Sequence, residues 1–335
     1  KVILPVGISF YTFHGLSYVI DIFKDRIKAE KNIIDYAVFV SFFPLLVAGP
    51  IERATHLLPQ IKKKRYFDYS KAVIGLRQIL WGLFKKIVIA DNCAEYANLV
   101  FNNAADQSGS TLVLGALLFS FQIYCDFSGY SDIAIGTARL FGIDLLRNFA
   151  FPYFSRDIAE FWRRWHISLS SWFKDYLYIP LGGSKGGTWM KIRNTFIIFL
   201  VSGFWHGANW TFIIWGFLNA LYIMPSIIFN TNRSNLDIVA QGKYLPTFKE
   251  ILLMGTTFSL TVFAWVFFRS DDLSSAINYI SGIISPSLFS VPLQIPKVLG
   301  LLLPVFLIIE WIGRENQFAI AKIGLRWTRP VKWSF

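Results

Sequence analysis

The chain has 335 residues, with 33 Lys plus Arg against 21 Asp plus Glu, yet only 16% of it is charged. A soluble domain is nearer a quarter charged, whereas here 54% is hydrophobic and 12 Trp, 14 Tyr and 33 Phe are present. This composition excludes a disordered chain and a nucleic-acid module; the net +12 charge reads as Lys and Arg in short cytoplasmic loops of an integral membrane protein.

A helix needs about 20 mostly apolar residues to cross a bilayer, so the distance between charges is a ruler. Residues 2–20 are uncharged and residues 36–51 nearly match them in length. Residues 72–90 are apolar except for Arg77, Lys85 and Lys86, which can snorkel or face the protein interior. Residues 107–125 are uncharged, and apolar character resumes over 127–143 around Asp132 and Arg139. The longest uncharged stretch, 194–232, has room for two passes or for a broken helix and one pass. Residues 251–268 read as a clean span, 298–309 are short, and 273–296 hold too much Ser and Pro to assign. The expectation is an all-α, polytopic fold of about seven to nine helices.

Basic loops at 24–31, 62–71, 147–164, 185–193 and 314–332 cannot all be cytoplasmic if every apolar segment crosses once. Some segments are therefore expected to be re-entrant or amphipathic, and orientation stays open. With no fixed-period repeat and no low-complexity linker, residues 1–335 read as one membrane-embedded domain whose motifs lie within 120–210. The chain begins at Lys1 directly in an apolar run, without the order of a signal peptide, and is expected to be a piece of a longer protein. Cys93 and Cys125 match no disulfide or zinc spacing and read as small apolar packers.

Three constellations carry chemistry. In 155–177 the apolar Ile158, Trp162, Trp165, Leu169, Trp172 and Tyr176 recur every three or four residues, with Asp157, Glu160, Arg164, Ser171 and Lys174 opposite. That period predicts one amphipathic helix with its Trp residues at the headgroup boundary. His166 at the stripe's edge reads as a histidine bonding between helices or as a working group, and Arg163 and Arg164 as contacts to lipid phosphates. In 202–210, SGFWHGANW, His206 has no charged residue within ten positions, and an ionisable group at such depth is a functional-site hypothesis. In 122–132, Asp126 and Asp132 interrupt apolar sequence and need partners, the candidates being Arg139, Arg156, Arg163 and Arg164. An Asp orienting a His is the alternative. His14 reads as a packed polar residue and His56 as a boundary residue.

A neutral imidazole can take the proton of a hydroxyl that attacks an activated carbonyl, which suits acyl transfer. There is no GxSxG elbow, Walker loop or HExxH, and no local metal spacing, so no metal is expected.

The runs DFSGYSDIAIGTARLFGI (126–143), NFAFPYFSRDIAEFWRRWHISLSSWFKDYLYIPLGG (148–183) and GFWHGANW (203–210), with FPLLVAGPIERATHLLPQ (43–60) upstream, resemble the membrane-bound O-acyltransferase family. The branch they are most similar to is the bacterial alginate O-acetyltransferase type, related to proteins that D-alanylate teichoic acids. The resemblance implies helices around a central tunnel in the bacterial cytoplasmic (inner) membrane, with the WHG histidine, here His206, as base or proton shuttle. It implies His166, of the RRWH motif, as a neighbour positioning substrate or donor. Trp162, Trp165, Trp172 and Trp205 would shape the cavity, with Tyr124, Asp126, Asp132, Arg164 and Asn209 as polar support. Family members usually have further helices at both ends.

The expected reaction passes an acyl group, acetyl above all, from a thioester on the cytoplasmic side, acetyl-CoA or an acyl carrier protein, with no tightly bound cofactor. The acceptor is a hydroxyl of an envelope polysaccharide such as alginate, reached directly or through an outer-face acetyltransferase partner. D-alanyl transfer to teichoic acid is the nearest alternative. A proton-coupled transporter or flippase is a further one, against which stands the lack of repeated halves. An inactive scaffold fits poorly with the presence of both histidines.

Overall fold

The computed structural model describes residues 7–292 and 295–325. Residues 2–6 of the first apolar run, 293–294 of the Ser/Pro-rich stretch and 326–332 of the basic tail lie outside the described residues. Among the described residues all regular structure is helical, as expected. Thirteen α-helices follow: α1 Ile8–Phe23, α2 Ile33–Val40, α3 Ala54–Lys62, α4 Tyr69–Leu83, α5 Asp91–Asn102, α6 Gly109–Leu140, α7 Ile158–Arg164, α8 Ile167–Phe173, α9 Gly187–His206, α10 Trp210–Ile228, α11 Phe248–Arg269, α12 Leu273–Ile283 and α13 Lys297–Gly313.

Short polar side chains set many of the starts by accepting an otherwise orphaned backbone N–H. Asp68, Ser108, Asp157, Asn209 and Asp272 cap α4, α6, α7, α10 and α12 in this way. Thr247 and Glu250 form a reciprocal capping box at α11.

The structure corrects two expected spans. Residues 36–51 do not form one helix, because α2 stops at Val40 and Pro44, Gly49 and Pro50 leave only a single 3-10 turn at Phe43–Leu45. The two apolar segments read in 107–143 are instead one helix, α6, whose acidic residues find lysine partners on the extension that follows α4. Helices α6, α10 and α11 are long and apolar enough to cross a membrane. The 32 residues of α6 extend about 48 Å, against roughly 30 Å of hydrocarbon.

Glycines place the neighbours of these helices. Gly75 on α4 faces Gly136 on α6 and Gly82 faces Gly129, so the two run antiparallel with their backbones in contact. Beyond Leu83, α4 continues through a π-helical turn, Phe84–Ala90, into α5. The stretch 194–232 resolves into a helical hairpin: Gly203 of α9 meets Phe212 of α10, Gly216 meets Phe199, and residues 207–209 make the turn. α11 returns along α10, stacking Trp265 on Trp215 and setting Phe268 edge-on to Phe212. Outward-facing Leu76, Leu80 and Leu83 on α4 and Leu301, Ile308 and Ile312 on α13 are exposed, an apolar surface suited to lipid. Cys93 and Cys125 are free and buried in the core.

Candidate functional site

Residues 155–177 do not form the single helix their period predicts. α7 ends at Arg164, and His166 adopts a left-handed conformation, φ 43° and ψ 53°, before α8 starts at Ile167. No glycine or proline announces the break. Its cause is a tertiary backbone pairing with the segment after α6: the Ile167 N–H donates to the Asn148 carbonyl at 2.9 Å, and the Ala150 N–H to that of Arg164 at 2.9 Å. A left-handed residue without glycine's freedom is a strained choice of the kind that gathers at functional sites.

The two faces of the expected helix also differ. Glu160 is buried and accepts hydrogen bonds from Arg156 at 3.1 Å and Arg164 at 3.0 Å. Trp165 and Trp172 are buried inside the protein rather than placed at a headgroup boundary, while Trp162 donates its Nε1–H to Asn219 at 3.1 Å. Arg163 donates to the carbonyls of Asn232 and Asn235, both at 2.8 Å.

His166 is 3% exposed, with its ring edge-on to Phe127 at 4.6 Å. Its Nδ1 lies 3.0 Å from Asn148 Oδ1, and its Nε2 has no partner among the described residues. His206 ends α9, half-buried against Trp205 at 4.7 Å, Phe268 at 5.0 Å and Trp215 at 5.2 Å. Among the described residues its ring nitrogens make no hydrogen bond. The two imidazoles lie on one chain of aromatic contacts. A wall of rings joins them: His166 to Phe149 at 6.4 Å, Phe149 to Trp165 at 5.1 Å, Trp165 to Trp265 at 5.2 Å, and Trp265 to Trp215 at 5.8 Å. On the far side Phe13 connects Trp172 at 4.5 Å with Trp205 at 5.2 Å.

A cavity of about 980 Å³ runs between α7, α8, α9 and the segment after α10. Arg163, Lys174, Lys191 and Arg233 make its outer part basic, and Trp162, Leu169, Ile198 and Phe199 give it apolar walls. It reaches Ile167, next to His166, and Ser202, one helical turn before His206.

The other expected site residues have partners of their own. Asp126 is exposed and pairs with Lys86 at 2.7 Å, and Asp132 pairs with Lys85 at 2.7 Å, so the arginines named as candidates take neither. Tyr124 donates to Glu310 at 2.8 Å and backs Trp165 at 6.0 Å. Arg164 bonds Glu160 and the Ala150 carbonyl, and Asn209 caps α10 and donates to the Asp271 carbonyl at 2.6 Å. Sequence reasoning missed Asn148, Ser202 and Glu310; the first opens the NFAFPY run, and the last is a lone carboxylate in an apolar stretch. Among the described residues no three His, Cys, Asp or Glu side chains gather to hold a metal.

Residues 49–53 anchor the site from behind. Glu52, fully buried, accepts from the Leu146 N–H at 2.5 Å and pairs with His56 at 2.6 Å, while its own N–H donates to His14 Nε2 at 3.1 Å. The Glu52 carboxylate holds the His56 imidazole above its ordinary value, against partial burial. Arg53 reaches Asp175 at 2.8 Å.

Comparison with known proteins places the chain in a family. Residues 23–266 match the family model of MBOAT, the membrane-bound O-acyltransferase family. The chain is 41% identical to the peptidoglycan O-acetyltransferase of Helicobacter pylori, over 84% of this chain and 57% of that protein. It is 42% identical to the probable alginate O-acetylase AlgI of Pseudomonas aeruginosa, over 82% of this chain and 50% of that protein. It is 28% identical to the teichoic acid D-alanyltransferase of Bacillus subtilis, over 78% of this chain and 68% of that protein. The chain thus spans about half the length of the two O-acetylating relatives. With its apolar helices and a family match over most of its length, the chain is a membrane protein that belongs to the membrane-bound O-acyltransferase family.

Proposed function

We propose that the protein is a multi-pass enzyme of the bacterial cytoplasmic membrane that passes an acetyl group from a cytoplasmic thioester toward a hydroxyl of an exported polysaccharide. The observation that carries this reading is the cavity that joins basic side chains to Ile167, the residue after His166, and to Ser202, one helical turn before His206. Arg163, Lys174, Lys191 and Arg233 suit the phosphates of acetyl-CoA or of a carrier protein's phosphopantetheine. In this reading that mouth faces the cytoplasm, where the thioester is made, and the turn at residues 207–209, at the other end of α9, lies toward the outer face.

In this mechanism His206 accepts the proton of the acceptor hydroxyl as the oxygen attacks the thioester carbonyl. The new C–O bond forms, the C–S bond breaks, and the imidazolium returns the proton to the departing thiolate. His166 positions the hydroxyl. The ring wall keeps water from the thioester, which would otherwise hydrolyse. Acetyl is preferred over D-alanyl because the acetylating relatives stand at 41–42% identity and the D-alanylating one at 28%. The acceptor is reached directly or through a transferase at the outer face.

The test is reconstitution of the full-length protein in vesicles with radiolabelled acetyl-CoA at the basic side. Release of free CoA that depends on an added polysaccharide, with label appearing as alkali-labile ester, supports the reading. Proton-dependent movement of an intact polymer without ester formation overturns it in favour of transport.

A further inference from the structure

The bonds around Asn148 leave no freedom in how its amide is oriented. Its side chain is fully buried between α6, the loop that precedes α3 and the start of α8. The Nδ2 faces the Gly49 carbonyl at 3.3 Å and Ser131 Oγ at 3.1 Å. A carbonyl can only accept, so the amide nitrogen must be on that side. On the other side, Ser168 Oγ accepts the Ile51 N–H at 2.9 Å and gives its own proton to Asn148 Oδ1 at 2.8 Å. The Ser168 N–H points at the same oxygen from 3.4 Å. Oδ1 is therefore an acceptor with no hydrogen to give, and His166 Nδ1, 3.0 Å away, must supply the proton of that contact.

We infer that Asn148 is a positioning residue that fixes His166 in the Nδ1–H tautomer, leaving Nε2 with a bare lone pair that accepts a hydrogen bond from a second hydroxyl of the acceptor, beside the one whose proton goes to His206. Two independent observations agree. Nε2 is buried and unpartnered among the described residues, while the adjacent Ile167 lines the cavity. The wrong tautomer would present Nε2–H instead, a donor, and would turn that second hydroxyl's hydrogen away, shifting the acceptor out of place. The segment 49–53 takes part through the Gly49 carbonyl, the Ile51 N–H and the Glu52 carboxylate that grips Leu146, two residues before Asn148. This inference deepens the acyl-transfer reading and rests on it for the identity of the hydroxyl; the tautomer itself does not.

The experiment uses the full-length protein in lipid bilayers with ¹⁵N-labelled histidine, the His166 signals being identified by their loss in His166→Gln. Magic-angle-spinning spectra are expected to show the proton of His166 on Nδ1, to show a mixture or the Nε2–H form in Asn148→Leu, and to keep the Nδ1–H form in Asn148→Asp. Acyl transfer should fall in kcat by about 10- to 100-fold in Asn148→Leu, the range for removing an orienting partner, with KM for the thioester unchanged, and Asn148→Asp should restore part of it. An Nε2–H tautomer in the unaltered protein overturns the inference, as does full kcat in a folded Asn148→Leu. If Asn148→Leu does not fold, loss of the Nδ1–H form in Asn148→Asp overturns it equally. Absence of any acyl transfer by the unaltered protein strikes the functional reading instead, and the tautomer spectrum still decides the role of Asn148.

Discussion

The Lys85 ammonium sits 2.7 Å from the Asp132 carboxylate across the α4–α6 contact, and Ser128 Oγ and Gln78 complete the arrangement at 2.8 Å and 2.6 Å. Lys85 is only 3% exposed, so each charge depends on the other for its solvation. Removing one partner of such a pair costs about 3–5 kcal/mol, because the other is left buried and uncompensated. Lys85→Met is therefore expected to destabilise the protein by that order, whereas Lys85→Met with Asp132→Leu recovers much of the loss. Chemical unfolding of the two variants in detergent micelles checks this; equal stability of single and double variants contradicts it.

The same helix contact depends on Gly82. A Cβ there would stand 2.5 Å from the Gly129 carbonyl oxygen, a backbone atom that cannot move aside. Gly82→Val is expected to cost about 1–3 kcal/mol or more through overpacking, while Gly255→Val, with nothing within 4 Å of its Cβ, is expected to leave unfolding unchanged.

His56 links stability to pH. Its imidazole is held above the ordinary 6.5 by the Glu52 carboxylate, so the protonated form favours the folded state. That contribution is complete below 6.5 and is lost as pH rises through the higher folded value. The apparent melting temperature should accordingly fall on the alkaline side of 6.5, and His56→Gln should flatten that part of the profile. A slope that survives the substitution assigns it to another group.

The legible and illegible parts of the molecule divide by the range of the interactions that decide them. Both histidines, the helical class and the family motifs rest on local pattern, and residues 126–210 carry them plainly. The break at His166 was hidden because its cause is backbone pairing with residues 148–150, while the local period favours a continuous helix. The partner of Asp132 was missed for a related reason: arginines near in sequence were the evident candidates, yet the close packing of Gly82 on Gly129 brings Lys85 from another helix. Likewise Asn148 looks like an ordinary loop amide until segment 49–53, almost a hundred residues earlier, closes around it.

The cavity makes a prediction that separates entry from chemistry. Ser202→Trp should fill the part of it that lies one helical turn from His206 and abolish transfer with the fold intact. Lys191→Glu, at the basic part of the same cavity, should raise KM for a phosphate-bearing donor several-fold with little change in kcat, because it weakens ground-state and transition-state binding alike. A kcat defect in Lys191→Glu without a KM change would count against donor entry on that side.

The central claim is acyl transfer that depends on His206. It is tested most directly by mass spectrometry of ester-linked acyl groups on exported glycans, comparing cells with the full-length protein and cells with His206→Ala at equal membrane abundance. The account predicts acetyl esters on a glycan in the first and their loss in the second. An unchanged ester profile would contradict it and remove His206 as the base.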